Sequence, residues 1–181
     1  MTIVVGNRLP NAPILRVTDS EIETVDLNDV FAGRRVAIFG MPGAFTGTCS
    51  RAHLPNIISQ KKQLMDAGLD EIAILTVNDS FVLRAWGRAS GAYEAGLIML
   101  GDAGSAFTKA VGLNFTVPAT GFYDRSQRYA LVVNDGVVEH FLLEETRSEI
   151  TTSSADALLK ALGQKLNSTR PVFAPRQYPA R

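Results

Sequence analysis

The chain has 181 residues, 46% hydrophobic and 20% charged, with 18 basic and 18 acidic side chains and a formal charge of zero. That is the make-up of one globular domain with a full core, and the balanced charge offers no handle for nucleic acid or an anionic membrane surface. No apolar run approaches the ~20 residues of a membrane span, no basic-then-apolar leader marks secretion, and the one cysteine excludes an internal disulfide, which fits a reducing, cytoplasmic compartment.

Residues 1–12 read as a leader. Ile14–Val17 and Glu23–Leu27 are short strand candidates about a polar turn at Asp19-Ser20. Asp26 or Asn28 can cap a helix of one to two turns ending at Gly33. Val36–Phe39 reads as a buried central strand, closed by Gly40-Met41-Pro42-Gly43. Thr46, Thr48 and Ser50 then offer N-cap oxygens to a helix through Leu54, Ile57, Ile58 and Leu64, expected to run to about Met65 with a kink at Pro55. Glu71–Val77 is a second buried strand. Asn78 or Asp79 caps a helix through Phe81, Val82, Ala85 and Trp86, which Gly91 closes. Leu97–Leu100 is a third strand, Ser105–Val111 a short helix, and residues 113–122 a loop. Arg128–Val133 and Val137–Leu143 form a hairpin about Asn134-Asp135-Gly136. Ser153 or Ser154 caps a last helix holding Ala157, Leu158, Ala161 and Leu162. From Asn167 the chain loses all helical period and is punctuated by prolines; residues 167–181 read as a surface tail behind a domain of residues 1–166, or more sharply as a strap over the domain or a partner subunit. The element order suggests an α/β domain with a mixed central β-sheet and helices on both faces.

Cys49 is the one residue with evident chemistry. Whichever threonine is the cap, it falls in the first turn of its helix, where unpaired N–H groups and the macrodipole favour an anion. Cysteines so placed ionise at roughly 3.5–7.5 against ~8.5 for a free thiol. A lone cysteine is more often a small buried hydrophobe; strand, Pro-Gly loop, threonines and helix start together turn the reading toward a reactive thiol.

Pro42-Gly43-Ala44-Phe45-Thr46-Gly47-Thr48-Cys49-Ser50 resembles the peroxidatic loop of peroxiredoxins, Pro-x-x-x-Thr-x-x-Cys, in the wording of the type II/type V (peroxiredoxin-5-like) subfamily, with Gly47 where that subfamily usually has Pro. His53-Leu54-Pro55, Val77-Asn78-Asp79-Ser80-Phe81, Ala85-Trp86-Gly87, Arg128-Tyr129-Ala130 and Asp135-Gly136 are similar too, so the resemblance spans about residues 3–166. It implies a thioredoxin-like fold and a thiol peroxidase that reduces hydrogen peroxide and alkyl hydroperoxides through a cysteine sulfenic acid, with no metal or other cofactor.

The physical demands of that reaction give the roles. A free cysteine is a few per cent ionised at pH 7, so full ionisation gains only about 30-fold, or ~2 kcal/mol. The remainder must come from donors aimed at the peroxide oxygens and from exclusion of water. The resemblance assigns Cys49 as nucleophile, Thr46 as the hydroxyl near sulfur or peroxide, Pro42 as the shield, and Arg128 as the distant cation. Gly43, Thr48 and Phe45 are the expected substrate contacts. Arg125 is the rival cation and reads as a solvated loop residue. His53, four residues after Cys49, opens a Cys–His hydrolase alternative, but by resemblance it is structural. His140 looks structural as well, and two histidines with one cysteine make no zinc set. Trp86, Phe45 and Phe122 read as core or pocket wall, and Asp79 as a cap.

The positions matching the family's resolving cysteines hold Ile74 and Thr151-Thr152. The chain therefore resembles a one-cysteine enzyme regenerated by an external thiol, glutathione with glutaredoxin preferred and thioredoxin possible. The Gly-Gly-Leu-Gly segment tied to easy overoxidation in other peroxiredoxins is absent. Relatives pair through faces near the active-site loops, which implies a homodimer with Phe45 and Trp86 nearby. The alternative is a redox-sensing or interaction protein of the same fold with Cys49 as its switch. Without a Cys-x-x-Cys, a thiol–disulfide oxidoreductase is disfavoured.

Overall fold

Hydrophobic residues that run uninterrupted through a strand can face two cores, and Arg35–Met41 (β3) does so: Ala37, Phe39 and Met41 enter one core while Val36 and Ile38 enter the other. The computed structural model describes residues 2–163. In it β3 lies beside Glu71–Thr76 (β4) in parallel and beside Tyr129–Asn134 (β8) antiparallel. Ile98–Gly101 (β5) continues the parallel part, and Pro13–Val17 (β1), Ile22–Asp26 (β2) and Val137–Leu143 (β9) complete a seven-stranded mixed sheet of order β2-β1-β5-β4-β3-β8-β9. Leu27–Phe31 (α1) and Ala106–Ala110 (α4) cover one face through Phe31 and Phe107. Leu54–Asp66 (α2), Ser80–Ala89 (α3) and Ala155–Gly163 (α5) cover the other through Ile57, Trp86 and Leu158. This is the expected thioredoxin-like α/β arrangement. The expected tail from residue 167 lies outside the described residues.

The alternatives left open at helix starts resolve by hydrogen bonding. Asp26 rather than Asn28 caps α1, accepting from Asn28 N–H; Asp79 caps α3, accepting from Phe81 and Val82 N–H; Ser154 Oγ accepts from Ala157 N–H in α5. The hairpin turn holds Asp135 at φ 49° and Gly136 at φ 75°, the two positive dihedrals that a tight two-residue turn between twisted strands requires. Gly40 on β3 is needed for a different reason: a Cβ there would sit 2.1 Å from the Tyr129 ring.

Two expectations change. Residues 113–122 are not simply loop. Asn114–Val117 (β6) pairs antiparallel with Phe122–Ser126 (β7) in a separate two-stranded sheet, joined by a 3-10 turn over Pro118–Thr120. The strand ladder forms across a turn whose own residues, Pro118 and Gly121, read locally as breakers. The helix after Cys49 also starts differently. Its first turn, Cys49–His53, is a π-turn in which Leu54 N–H donates to the Cys49 carbonyl, and α2 follows directly. The widened turn comes just before Pro55, which has no N–H to give, so the irregularity expected at that proline is taken up ahead of it.

Candidate active site

Three elements meet at Cys49. β3 ends in the Pro42–Thr46 loop, which delivers the cysteine to the helix start, and Pro42 and Cys49 are both buried. Thr48 is already helical, at φ −65° and ψ −38°. Ser50 N–H donates to the Thr46 carbonyl at 3.0 Å. The amides of Gly47, Thr48 and Cys49 therefore precede the first intrahelical bond and keep their donors for another acceptor. None of the three expected caps operates through its side chain. Thr46 Oγ donates to the Gly43 carbonyl at 2.7 Å and Thr48 Oγ to the Ser148 carbonyl at 3.1 Å, while Ser50 Oγ accepts from Trp86 Nε1 at 2.9 Å. An uncapped helix start with free amides next to a cysteine suits an anionic sulfur or oxygen.

The second element is β8, which begins right after Arg128. The guanidinium is 2% exposed and its Nη2 lies 3.4 Å from Cys49 Sγ. Nη1 donates to His53 Nδ1 at 3.0 Å, and both Nε and Nη2 donate to the Arg147 carbonyl. Among the described residues Arg128 makes no ion pair with a carboxylate. A buried cation without a counter-charge is costly, and the sulfur of Cys49 is the helix-start side-chain atom that its Nη2 reaches. The expected pairing of Cys49 with Arg128 is thus present in the geometry.

His53 fixes the guanidinium. Its Nε2 lies 3.0 Å from the Ser153 carbonyl, which can only accept, so Nε2 carries the proton and Nδ1 accepts from Arg128. Burial first, and Arg128 second, push its pKa down to about 4, against the smaller upward pull of the Ser153 bond and Glu144. An imidazole whose lone pair is already taken and whose basicity is this low is a poor general base. The Cys49–His53 hydrolase reading loses its base, and His53 acts as a positioning residue for Arg128.

The third element is the segment between β9 and α5, whose backbone carbonyls hold three site residues: Arg147 O takes Arg128, Ser148 O takes Thr48 and Ser153 O takes His53. Glu144 ties the segment down. Burial raises its carboxyl, but hydrogen bonds from Ser153 N–H and Oγ, Thr152 N–H and Thr151 Oγ together hold it below the ordinary carboxylate range. Sequence reasoning missed this strap, since carbonyls leave no mark on residue identity. It also missed Asn78, whose Oδ1 accepts from Ala44 N–H at 2.9 Å and latches the Cys49 loop to the end of β4. The Asn-Asp pair before α3 was a signal for one cap, and the second side chain was free for another task.

The remaining expected contacts are placed as follows. Gly43 is buried and packs against Arg125, whose Nη1 would lie 2.7 Å from a Cβ there. Arg125 is therefore tied to the site loop rather than simply solvated. Phe45 is not core; it is 56% exposed at φ 58°, a left-handed conformation unusual for an aromatic residue. Phe122 is half-buried and packs edge-on against Phe115. Trp86 is 1% exposed and belongs to the core. A Cβ at Gly47 would meet only the flexible end of Arg51, at 2.9 Å. Ile74 is buried in β4 and Thr151 serves Glu144, so no second thiol stands near Cys49, which is the chain's one cysteine. Among the described residues no group of three or more His, Cys, Asp or Glu could hold a metal ion, and no helix is long and apolar enough to cross a membrane.

The redoxin family profile matches residues 4–159. Chloroplastic peroxiredoxin-2E-2 of Oryza sativa subsp. japonica is 42% identical over 165 residues, covering 89% of this chain and 73% of the relative. Reduced Prx3 from Vibrio vulnificus, crystallised in complex with hydrogen peroxide, superposes with a TM-score of 0.81 at 42% identity, covering 89% of this chain and 99% of that one. Peroxiredoxin 5 from Alvinella pompejana gives a TM-score of 0.77 at 28% identity, covering 90% and 99%.

Proposed function

The chain belongs to the redoxin family as a peroxiredoxin, a thiol peroxidase, and from that premise we propose that it reduces hydrogen peroxide and small alkyl hydroperoxides at Cys49 and is regenerated by an external thiol. The observation that carries this reading is the buried Arg128 guanidinium, bonded to Cys49 Sγ and held by His53 Nδ1 and the Arg147 carbonyl, with no carboxylate partner among the described residues. The Cys49 thiolate attacks one peroxide oxygen; the S–O bond forms as the O–O bond breaks. The departing oxygen leaves as water or alcohol after taking a proton. Arg128 and the free amides of the helix start stabilise the charge as it moves from sulfur to oxygen. Thr46 Oγ, donating to the Gly43 carbonyl, keeps lone pairs that can accept a hydrogen bond from the peroxide. Pro42 shields the sulfur from water. Gly43 and Thr48 shape the space that the peroxide occupies.

The product is a sulfenic acid on a residue with no resolving partner in its own chain. A thiol from outside is needed, with glutathione and glutaredoxin preferred and thioredoxin second, in a compartment kept reducing such as the cytoplasm. We assign a homodimer to the surface of the loops after β3 and β4, where Phe45 at 56% and Phe81 at 74% are exposed. Phe45 and Phe81 follow the parallel strands β3 and β4, and the Ala44–Asn78 bond joins their loops. Trp86, being buried, takes no part in it.

Stopped-flow oxidation of the reduced protein by hydrogen peroxide, with Cys49→Ser as control, tests the reading, followed by turnover with glutathione/glutaredoxin and with thioredoxin in parallel. Fast stoichiometric oxidation with sustained turnover supports it. Oxidation no faster than that of a free thiol sinks it, and fast oxidation without turnover favours a Cys49 switch instead.

A further inference from the structure

A cluster of two arginines and two phenylalanines beside the site has no part in the peroxide step. Arg147 lies over the Phe115 ring at 4.5 Å, Phe115 meets Phe122 edge-on at 6.0 Å, and Arg125 lies over Phe122 at 5.4 Å. The two residues adjoin the Cys49 loop at opposite ends, Arg125 through its guanidinium and Arg147 through its backbone. Arg125 packs onto Gly43 at its start, and the Arg147 segment holds Thr48 and Arg128 at its end. Among the described residues neither cation pairs with a carboxylate within 4 Å. Arginines on the aromatic pair of a short hairpin, unneutralised and flanking a loop that must meet an outside thiol, leave an anion unaccounted for.

We propose that Arg125 and Arg147 form a docking platform for the carboxylates of a small thiol that reduces oxidised Cys49. The inference rests on the peroxidase reading and names its reductant class: a peptide thiol with carboxylates on both sides of its sulfur, such as glutathione. Two cations flanking the loop match two carboxylates flanking a thiol. Hydrogen peroxide carries no carboxylate and makes no use of them. In the step served, the thiol sulfur attacks the Cys49 sulfenic sulfur, an S–S bond forms, the S–O bond breaks and the oxygen leaves as water. A second molecule of the same thiol then attacks the mixed disulfide, releasing the Cys49 thiol and the thiol's own disulfide. Two thiols are oxidised for each sulfenic acid reduced.

The test separates the two half-reactions in the full chain, in wild type, Arg125→Gln, Arg147→Gln and the double variant. Oxidation by hydrogen peroxide is measured first. The rate at which glutathione, glutathione diethyl ester and dithiothreitol reduce the oxidised protein is measured second. Each lost guanidinium should slow glutathione about 2- to 5-fold and the pair about 10-fold, as for partly exposed ion pairs. The diethyl ester and dithiothreitol should react alike in all four proteins, and rising salt should slow glutathione alone. Equal rates for glutathione and its ester on wild type, an unchanged glutathione rate in the double variant, or no reduction by glutathione at all would overturn the platform. A double variant slowed only toward a carboxylate-bearing hydroperoxide would also overturn it, by assigning the cations to the substrate. Slow peroxide oxidation of wild type would instead count against the peroxidase reading itself.

Discussion

Acidification tests the Arg128–His53 arrangement most directly, because His53 must either refuse a second proton or give up its bond from Arg128. In the folded chain its pKa is pushed down to about 4 from 6.5. Between those values the unfolded chain binds a proton that the folded one refuses, so stability rises with pH across this window and is lost as pH falls through it. At about 1.4 kcal/mol per pH unit the full loss is about 3 kcal/mol, a large share of the roughly 5–15 kcal/mol that holds a domain together. His53→Gln keeps one acceptor and one donor at the side-chain end but cannot titrate. Urea unfolding of the reduced wild type and variant at several pH values between 4 and 7 should show the wild type losing about 2–3 kcal/mol more than the variant. Parallel pH slopes for the two proteins would refute the buried neutral imidazole. Once protonated, Nδ1 becomes a donor facing the Arg128 guanidinium, so the peroxide step should slow over the same range even where the protein stays folded.

Arg128→Lys keeps a charge but not the fork that reaches Sγ, His53 Nδ1 and the Arg147 carbonyl together; stopped-flow oxidation should fall about 100-fold, on the scale of a lost oxyanion donor, while Arg125→Ala leaves it within about 2-fold. Equal losses would overturn the assignment of the cation. Asn78→Ala removes the acceptor of Ala44 N–H, which should cost about 1 kcal/mol in denaturant unfolding and slow peroxide oxidation without changing the thiol-reduction step; no change in either would deny the latch. Gly40→Ala forces a methyl into the Tyr129 ring, and overpacking of this kind costs about 1–3 kcal/mol or more; a thermal midpoint equal to wild type would mean that the ring moves freely.

The sequence determined what depends on neighbouring residues. A run of Val36-Ala37-Ile38-Phe39 reads as a buried strand, Asp135-Gly136 supplies the two positive dihedrals of a hairpin, and a Pro-Gly loop before threonines and cysteine puts the one thiol at a helix start. Those features place Cys49, and the resemblance carried by the same residues named Arg128 as its partner across 79 positions of chain. Tertiary structure alone decided what depends on distance in space. Which of Asn78 and Asp79 caps α3 and which latches the Cys49 loop, whether His53 is a base or a brace, and how carbonyls of Arg147, Ser148 and Ser153 clamp the site are set by β8, β9 and α5 folding back on the helix start. A carbonyl is the same in every residue, and a histidine's proton follows the partners that reach it, so neither is written in the order of side chains. The β6–β7 hairpin belongs here as well. Its strands exist through their pairing with each other, and that pairing sets Phe115 and Phe122 together as the rings over which Arg147 and Arg125 lie.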